Sequence, residues 1–268
     1  MELVMHFYNE LSEPLRPLIR HLWHIENPRP IAIEKLLLPM DHVDLLLCDE
    51  GQFFYQVGET VQKFQGSHFH GLRRRAVGLQ RIPEGVTIGI TFTPWGFQHF
   101  AGGKMSRFRH QITSLAEISA AWVGLAEQVV KNTCPTLVKL TELRDILTAA
   151  AGLSIEEKQA LGDIAVFLER YQENNLAYTR DAPAQVKYYQ RLFNHYIGIP
   201  PKEFCQLTRF QDASRAMLRS EGPSLDMEFA DTFYDQSHLI REFKKYTGIS
   251  PGKFHEERPA LKSHLDFE

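Results

Sequence analysis

The sequence predicts an α+β chain with an all-β N-terminal barrel or sandwich, a helical linker and an all-α C-terminal domain. Three observations predict it. Between residues 36 and 100 short apolar runs alternate with turn residues. From residue 114 onward apolar residues recur every three or four positions. Finally, a segment at 190–204 returns at 240–254. With 268 residues the chain has room for two domains, and the expected divisions are 1–112, 113–152 and 153–268.

The β expectation rests on runs at 35–38, 43–48, 53–57, 61–64 and 86–92, separated by Gly51-Gln52, Val57-Gly58, Gln65-Gly66 and Pro83-Glu84-Gly85. Short runs at this spacing describe a meander, sandwich or small barrel. In the linker, Leu115, Ile118, Trp122, Leu125 and Val129, then Leu137, Leu140, Leu143, Ile146 and Leu147 beyond Pro135, give two apolar stripes. Such stripes pack inside the molecule or form a dimer seam. Ser154 ahead of Glu156 and Glu157 marks the next helix start, because its hydroxyl caps free N–H groups and the acids suit the positive end of the helix dipole.

Composition excludes several classes. Apolar residues make up 43% of the chain and charged residues 24%, ordinary values for a folded globular protein. Cys48, Cys134 and Cys205 lack the spacing of a disulfide framework or a zinc site. No apolar stretch reaches the length of a membrane span and no leader opens the chain, so a cytoplasmic protein is expected, with no membrane partner. Nothing matches a nucleophile elbow, a phosphate loop or a supported acid/base pair, so catalysis is not expected, and neither is a cofactor. Net charge is −3. Any claim on nucleic acid must therefore rest on local patterning.

The repeat supplies that patterning. QRLFNHYIGIPPKEF (190–204) aligns without a gap on IREFKKYTGISPGKF (240–254), with Arg, Phe, Tyr, Gly, Ile, Pro and Phe at matching places. Fixed spacing points to a duplicated supersecondary unit. Each copy reads as an amphipathic helix (185–196; 236–246), a glycine where the chain leaves it (Gly198; Gly248), and a proline that forbids continuation (Pro201; Pro251). Shorter helical pieces are expected upstream at 175–182 and 224–231. Between the copies Phe204, Leu207, Phe210, Met217 and Leu218 form one stripe of a bridging helix. Helix, turn, helix, twice, is the outline of a paired helix-turn-helix domain.

The polar faces of the second helices carry the candidate chemistry. Lys187, Gln190, Arg191, Asn194 and His195 lie on the first; Gln236, Ser237, His238, Arg241, Lys244 and Lys245 lie on the second. Arg, Gln and Asn present the donors and acceptors that match base edges, and Lys suits phosphate.

The run YDQSHLIREFKKYTGISPGKF (234–254) resembles the signature segment of AraC-type regulators, and QVKYYQRLFNHYIGIPPKEF (185–204) looks like its first-lobe partner. The resemblance implies a transcriptional regulator with double-stranded DNA as partner. In that family the second helix of each lobe enters the major groove, which nominates Lys187, Gln190, Arg191, Gln236, Ser237, His238, Ile240 and Arg241 for contacts on faces ~34 Å apart. Phe193, Phe243 and Phe254 would be core. Three positions depart from the pattern. Pro183 and Thr232 stand where the turns usually have Gly, and Glu228 where a small residue is usual. These ask either for remodelled turns or for weaker DNA affinity.

More loosely, the first half is similar to cupin-like N-terminal domains of such regulators, which implies a small-molecule effector or self-association as a homodimer. His68 and His70, with His99 in Pro94-Trp95-Gly96-Phe97-Gln98-His99, echo the metal-binding segments of cupins, although Arg73, Arg74 and Arg75 replace the expected carboxylate, and ordinary polar-face histidines are the default. The arginine run, with Arg81, is a solvent-facing loop or the receiver of an anionic effector. Trp23, Phe54, Tyr55, Phe92 and Trp95 fill a core or line a cavity. The alternative to a DNA-binding regulator is a metal- or small-molecule-binding cupin-like protein whose helical C-terminal domain has lost specific DNA binding.

Overall fold

The computed structural model describes residues 5–49, 51–171, 177–219 and 236–256. The order of elements is β1 (Met5–Tyr8), a 3-10 turn (Glu13–Leu15), β2 (Ile19–Asn27), β3 (Ile31–Leu37), β4 (Val43–Cys48), β5 (Gln52–Val57), β6 (Thr60–Gln65), β7 (His68–His70), β8 (Val77–Ile82) and β9 (Gly85–Phe92). Then come α1 (Gly96–Ala101), a 3-10 turn (Met105–Phe108), β10 (Ile112–Ser114), α2 (Leu115–Ile118), α3 (Ala120–Lys131), α4 (Thr136–Ala150) and α5 (Ile155–Tyr171). A 3-10 turn (Ala177–Arg180) leads into α6 (Pro183–Tyr196), α7 (Pro201–Arg219), α8 (Gln236–Thr247) and α9 (Pro251–Glu256). The expected α+β class and order of β then α are observed.

Two antiparallel sheets face each other. One has the order β1-β2-β9-β4-β7-β10 and the other β3-β8-β5-β6. The larger sheet is buried on both faces, which follows from its side-chain alternation. On β4, Val43, Leu45 and Leu47 join a core shared with the helices, while Leu46 and Cys48 join the core between the sheets. On β9, Ile88, Ile90 and Phe92 face the helices, and Thr87, Gly89 and Thr91 face the other way. Gly89 is required because Trp23 of β2 lies flat against it. A Cβ there would come within 1.8 Å of the indole, whose Nε1 donates to Thr91 Oγ1 at 3.1 Å.

β2 is central to this sheet, paired with β1 and β9, yet sequence periodicity misses it. Burial on both faces removes the alternation that marks a half-exposed strand, and His21, His24 and Glu26 interrupt its apolar run.

The linker stripes pack inward. Trp122, Ala126 and Val129 of α3, and Leu140, Leu143 and Leu147 of α4, are buried in the same core as the larger sheet, which settles them as intramolecular packing. Leu137 departs from its expected stripe and is 62% exposed. The start of α5 is a capping box: Glu157 N–H donates to Ser154 Oγ at 3.1 Å, and Ser154 N–H donates to Glu157 Oε2 at 2.8 Å.

The helix-side core continues without a break into the C-terminal helices, where Phe193, Phe204, Phe210, Phe243 and Phe254 are all buried. Full burial of each such ring contributes ~1.5–3 kcal/mol. α7 carries the expected bridging stripe through Phe204, Leu207, Phe210 and Met217. The short helix expected at 175–182 is a 3-10 turn over Ala177–Arg180. The piece expected at 224–231, together with Glu228 and Thr232, lies outside the described residues, as does the side chain of Leu218. Among the described residues no helix is long and apolar enough to cross a membrane.

Candidate nucleic-acid interface and inter-sheet cavity

The two copies of the repeat fold alike, contact for contact. Phe204 N–H donates to Pro200 O at 3.0 Å in the first, and Phe254 N–H donates to Ser250 O at 2.8 Å in the second. Phe193 meets Phe204 edge-on at 5.9 Å, and Phe243 meets Phe254 edge-on at 5.4 Å. Gly198 (φ 97°) and Gly248 (φ 81°) both leave their helices through the left-handed region, where a side chain is disfavoured. Pro201 and Pro251 each open the next helix.

Pro183, which replaces a turn glycine, costs nothing. It is the first residue of α6, after Ala182 at φ −57° and ψ 140°, so this turn uses no positive φ and proline's fixed φ suits the helix start.

On α6, Tyr189, Leu192 and Phe193 are buried, while Lys187, Gln190 and Arg191 are exposed and Asn194 is half-exposed. With Ala184 they line one shallow groove along the helix, as spacings of three and four dictate. Asn194 Nδ2 donates to Gln190 O at 2.7 Å, so one amide proton is already engaged. The Gln190 side chain bonds the Tyr178 hydroxyl.

On α8, Leu239, Phe243 and Tyr246 are buried, Ser237, Arg241 and Lys244 are exposed, and Ile240 is half-buried. Arg241 Nε donates to Ser237 O at 3.2 Å, and the residue is exposed. Lys245 differs from its neighbours. Its ammonium lies 3.3 Å from Glu242 Oε2, 3.4 Å from Gln206 Oε1 of α7 and over the Tyr246 ring. Much of its charge is spent inside the helical domain. Gln236 and His238 belong to α8, but their side chains lie outside the described residues.

The β half grips this helical pair from behind. Glu203, in the first turn of α7, is 7% exposed and accepts from Nε and Nη2 of the Arg74 guanidinium. Arg109 Nη2 donates to its Oε2 at 2.6 Å, and His110 Nε2 lies 3.3 Å from its Oε1. Burial alone would raise the Glu203 carboxyl, but hydrogen bonds from Arg74 and His110 and the charges of Arg109 and Arg74 hold it at about 2. His110 sits at φ 60°, a strained conformation for a residue with a side chain, at this junction. Two backbone groups add to the grip. Ala76 N–H donates to Tyr246 O of α8 at 2.7 Å, and Gln211 Nε2 of α7 donates to Pro39 O at 3.3 Å.

The loop that supplies Arg74 also walls a cavity of about 150 Å³ between the sheets. Its floor is apolar, including Trp23, Ile25, Leu46, Phe53 and Leu79. One end is a chain of hydrogen bonds whose direction is determined. Gly66 O can only accept, so His68 Nδ1 donates to it at 2.9 Å and His68 Nε2 accepts from the Tyr55 hydroxyl at 2.7 Å. Tyr55 Oη then accepts from His70 Nε2 at 3.2 Å, and His70 Nδ1 accepts from Arg73 Nη1 at 2.9 Å. Both imidazoles are neutral. Burial lowers His68 to about 4, and burial and the neighbouring Arg73 charge lower His70 well below its ordinary value.

The three histidines of the cupin-like echo are placed on other partners. The segment from Pro94 to His99 is not a strand: α1 begins at Gly96 and carries His99 to α5, where its Nδ1 meets Glu157 Oε1 at 2.6 Å and its Nε2 donates to Ala150 O at 2.8 Å. His68 and His70 bond Tyr55 instead. Among the described residues no group of three or more His, Cys, Asp or Glu is arranged to hold a metal.

The arginine run resolves into separate fates. Arg73 turns to the cavity, Arg74 to Glu203, and Arg75 is exposed; Arg81 lies over the Phe54 ring at 5.7 Å. Of the five aromatics named from sequence, Trp23 and Tyr55 line the cavity, Phe92 belongs to the helix-side core, and half-buried Trp95 donates to Pro17 O at 2.9 Å. Glu203, Ala76 and the Tyr55 chain were not found by sequence reasoning. For Glu203 a signal existed: its counterpart in the second copy is Lys253, a reversal of charge within the repeat.

Residues 178–257 match a family described as helix-turn-helix domain, and residues 12–114 match a domain of unknown function, DUF6597. No curated protein matches the chain. Similar solved structures include ToxT from Vibrio cholerae (TM-score 0.40, 9% identity, 88% of this chain and 96% of that chain). They also include the AraC-like transcriptional activator CuxR (TM-score 0.33, 16% identity, 79% of this chain and 86% of that chain). With its paired helices, its glycine exits at Gly198 and Gly248 and the match over residues 178–257, the C-terminal part of this chain is a helix-turn-helix domain.

Proposed function

We propose that this protein is a sequence-specific DNA-binding transcriptional regulator in which α6 and α8 read two successive major-groove segments. The observation that carries this reading is the pair of helices at a fifty-residue offset, each buried along one face and presenting Lys, Arg and amide or hydroxyl groups along the other. Lys187, Gln190, Arg191 and Asn194 serve the first segment; Gln236, Ser237, His238, Ile240, Arg241 and Lys244 serve the second, with Lys245 contributing after release from Glu242. Arginine supplies bidentate donors for guanine and Lys187 and Lys244 neutralise phosphate.

The β half is the regulatory half. Its loop 71–76 touches the cavity through Arg73, α7 through Arg74 and α8 through Ala76. An occupant of the cavity therefore acts on the same short stretch of chain that orients both helices, which supports control by an effector. Self-association through this half is the other route to control.

Selection from a pool of random duplexes with the whole protein tests the reading. The expected product is a site with two conserved blocks, retained when salt is raised from 50 to 200 mM while overall affinity falls ~10³-fold or more. A pool that shows no sequence preference at either salt concentration rejects it.

A further inference from the structure

Arg73 is a half-buried cation whose partners are a neutral imidazole and, at 3.5 Å, the carbonyl of Leu38. Among the described residues no carboxylate stands within 4.0 Å of it. The acid whose charge acts on it is Asp44, which also lines the cavity. Asp44 is engaged elsewhere: its Oδ1 accepts from Thr91 Oγ1 at 2.6 Å, and its Oδ2 lies 3.6 Å from His42 Nε2. A guanidinium has five N–H donors, and two of these are used here. Keeping such a charge away from water without an anionic partner is costly, and burial accordingly pulls the Arg73 pKa below its ordinary value.

The rest of the cavity sets the size and character of the occupant. Its volume of about 150 Å³ matches the engineered cavity that admits benzene. Trp23, Leu46, Phe53 and Leu79 from the two sheets give the cavity an apolar body, the indole N–H being already given to Thr91, while its polar lining besides Arg73 and Asp44 includes Lys35, His21, His42, Thr87 and Thr91.

We infer that this cavity binds a small organic monocarboxylate with a compact aromatic or branched aliphatic body of about six to ten non-hydrogen atoms, its carboxylate held by Arg73 and its body between the two sheets. The inference identifies the class of effector and so rests on the regulatory reading given above. Arg73 is a binding residue held in place by His70, and the chain through Tyr55 to His68 orients that imidazole.

The test is calorimetry and thermal shift on the full-length protein at pH 7 without DNA, so that its failure leaves the DNA reading standing and failure of the DNA selection leaves this one standing. Benzoate, cyclohexanecarboxylate and 3-methylbutanoate are the probes. Benzamide, benzylamine and cis-9-hexadecenoate are the comparisons, differing in charge, sign and length. The expected result is saturable binding of at least one small carboxylate, at least ten-fold tighter than benzamide, with benzylamine and the sixteen-carbon chain weaker still. Arg73→Met should erase the ten-fold preference while leaving benzamide unchanged, and Arg73→Lys, which keeps the charge, should retain part of it. Leu46→Trp, which fills the space, should weaken every probe. The inference is overturned if no small carboxylate binds, if the amide, the amine or the long chain binds as tightly, or if Arg73→Met or Arg73→Lys leaves the carboxylate preference intact.

Discussion

The first and second copies of the repeat have the same backbone and the same internal rings, and differ in what they lean on. In the first copy His195 receives a hydrogen bond from Gln98 of α1 (3.2 Å), Gly198 is buried against the Met105 carbonyl, and Glu203 is clamped by Arg74 and Arg109. The corresponding second-copy residues are Lys245, which turns to α7, and Gly248 and Lys253, which are exposed. The β half reaches the second copy through the hydrogen bond from Ala76 to Tyr246 O. One lobe is built into the body of the protein, and the other is attached to it by a lighter contact. The device for changing the relation of the two lobes is therefore best sought in loop 71–76.

The glycines break this comparison most sharply. Gly198→Ala places a Cβ 2.9 Å from Met105 O at φ 97°. The left-handed strain and the backbone clash together should cost about 3 kcal/mol. Gly248→Ala meets nothing within 4 Å at φ 81° and should cost only about 1 kcal/mol. Urea unfolding of the two variants measures the difference. Equal costs would mean that the first copy does not lean on the β half.

Glu203→Gln comes next, with an expected loss of about 2 kcal/mol, since it removes the charge from a buried, multiply bonded carboxylate whose partners keep some access to water. Because folding lowers the Glu203 pKa to about 2 from an ordinary 4.5, its contribution is full above about pH 4.5. It fades as pH falls toward 2. Wild type and Glu203→Gln should thus differ in urea midpoint at pH 7, with the difference shrinking below about pH 4.5 and closing only near pH 2. Lys253→Met, at the matching exposed place in the second copy, should cost less than about 0.5 kcal/mol.

On DNA the response should follow the residue type rather than the lobe. Arg241→Ala is expected to weaken a selected site by about 1.5 kcal/mol and to relax sequence preference in one block, whereas Lys187→Ala should weaken all duplexes by less than about 1 kcal/mol and lower the salt slope by about one. Fluorescence anisotropy at several salt concentrations separates these outcomes.

What was legible in the sequence was local. Gly198 and Gly248 end helices, Ser154 starts one, and the stripe from Phe204 to Met217 is buried, because each is decided within a few residues of itself. Long-range partners decided the rest. β2 loses its alternation to burial on both faces, and the Pro94–His99 segment becomes a helix that carries His99 to Glu157, fifty-eight positions away. Arg73, Arg74 and Arg75 read as one charged run, yet consecutive side chains on a loop point in different directions, so one faces the cavity, one faces Glu203 and one faces water.

The most direct test of the account is hydroxyl-radical footprinting on the selected site, with wild type, Arg191→Ala and Arg241→Ala. Two protected blocks about one helical turn apart are expected, with Arg191→Ala weakening one block and Arg241→Ala the other. A single block that both substitutions weaken equally, or protection unchanged by either, would contradict the claim that α6 and α8 each read their own segment of DNA.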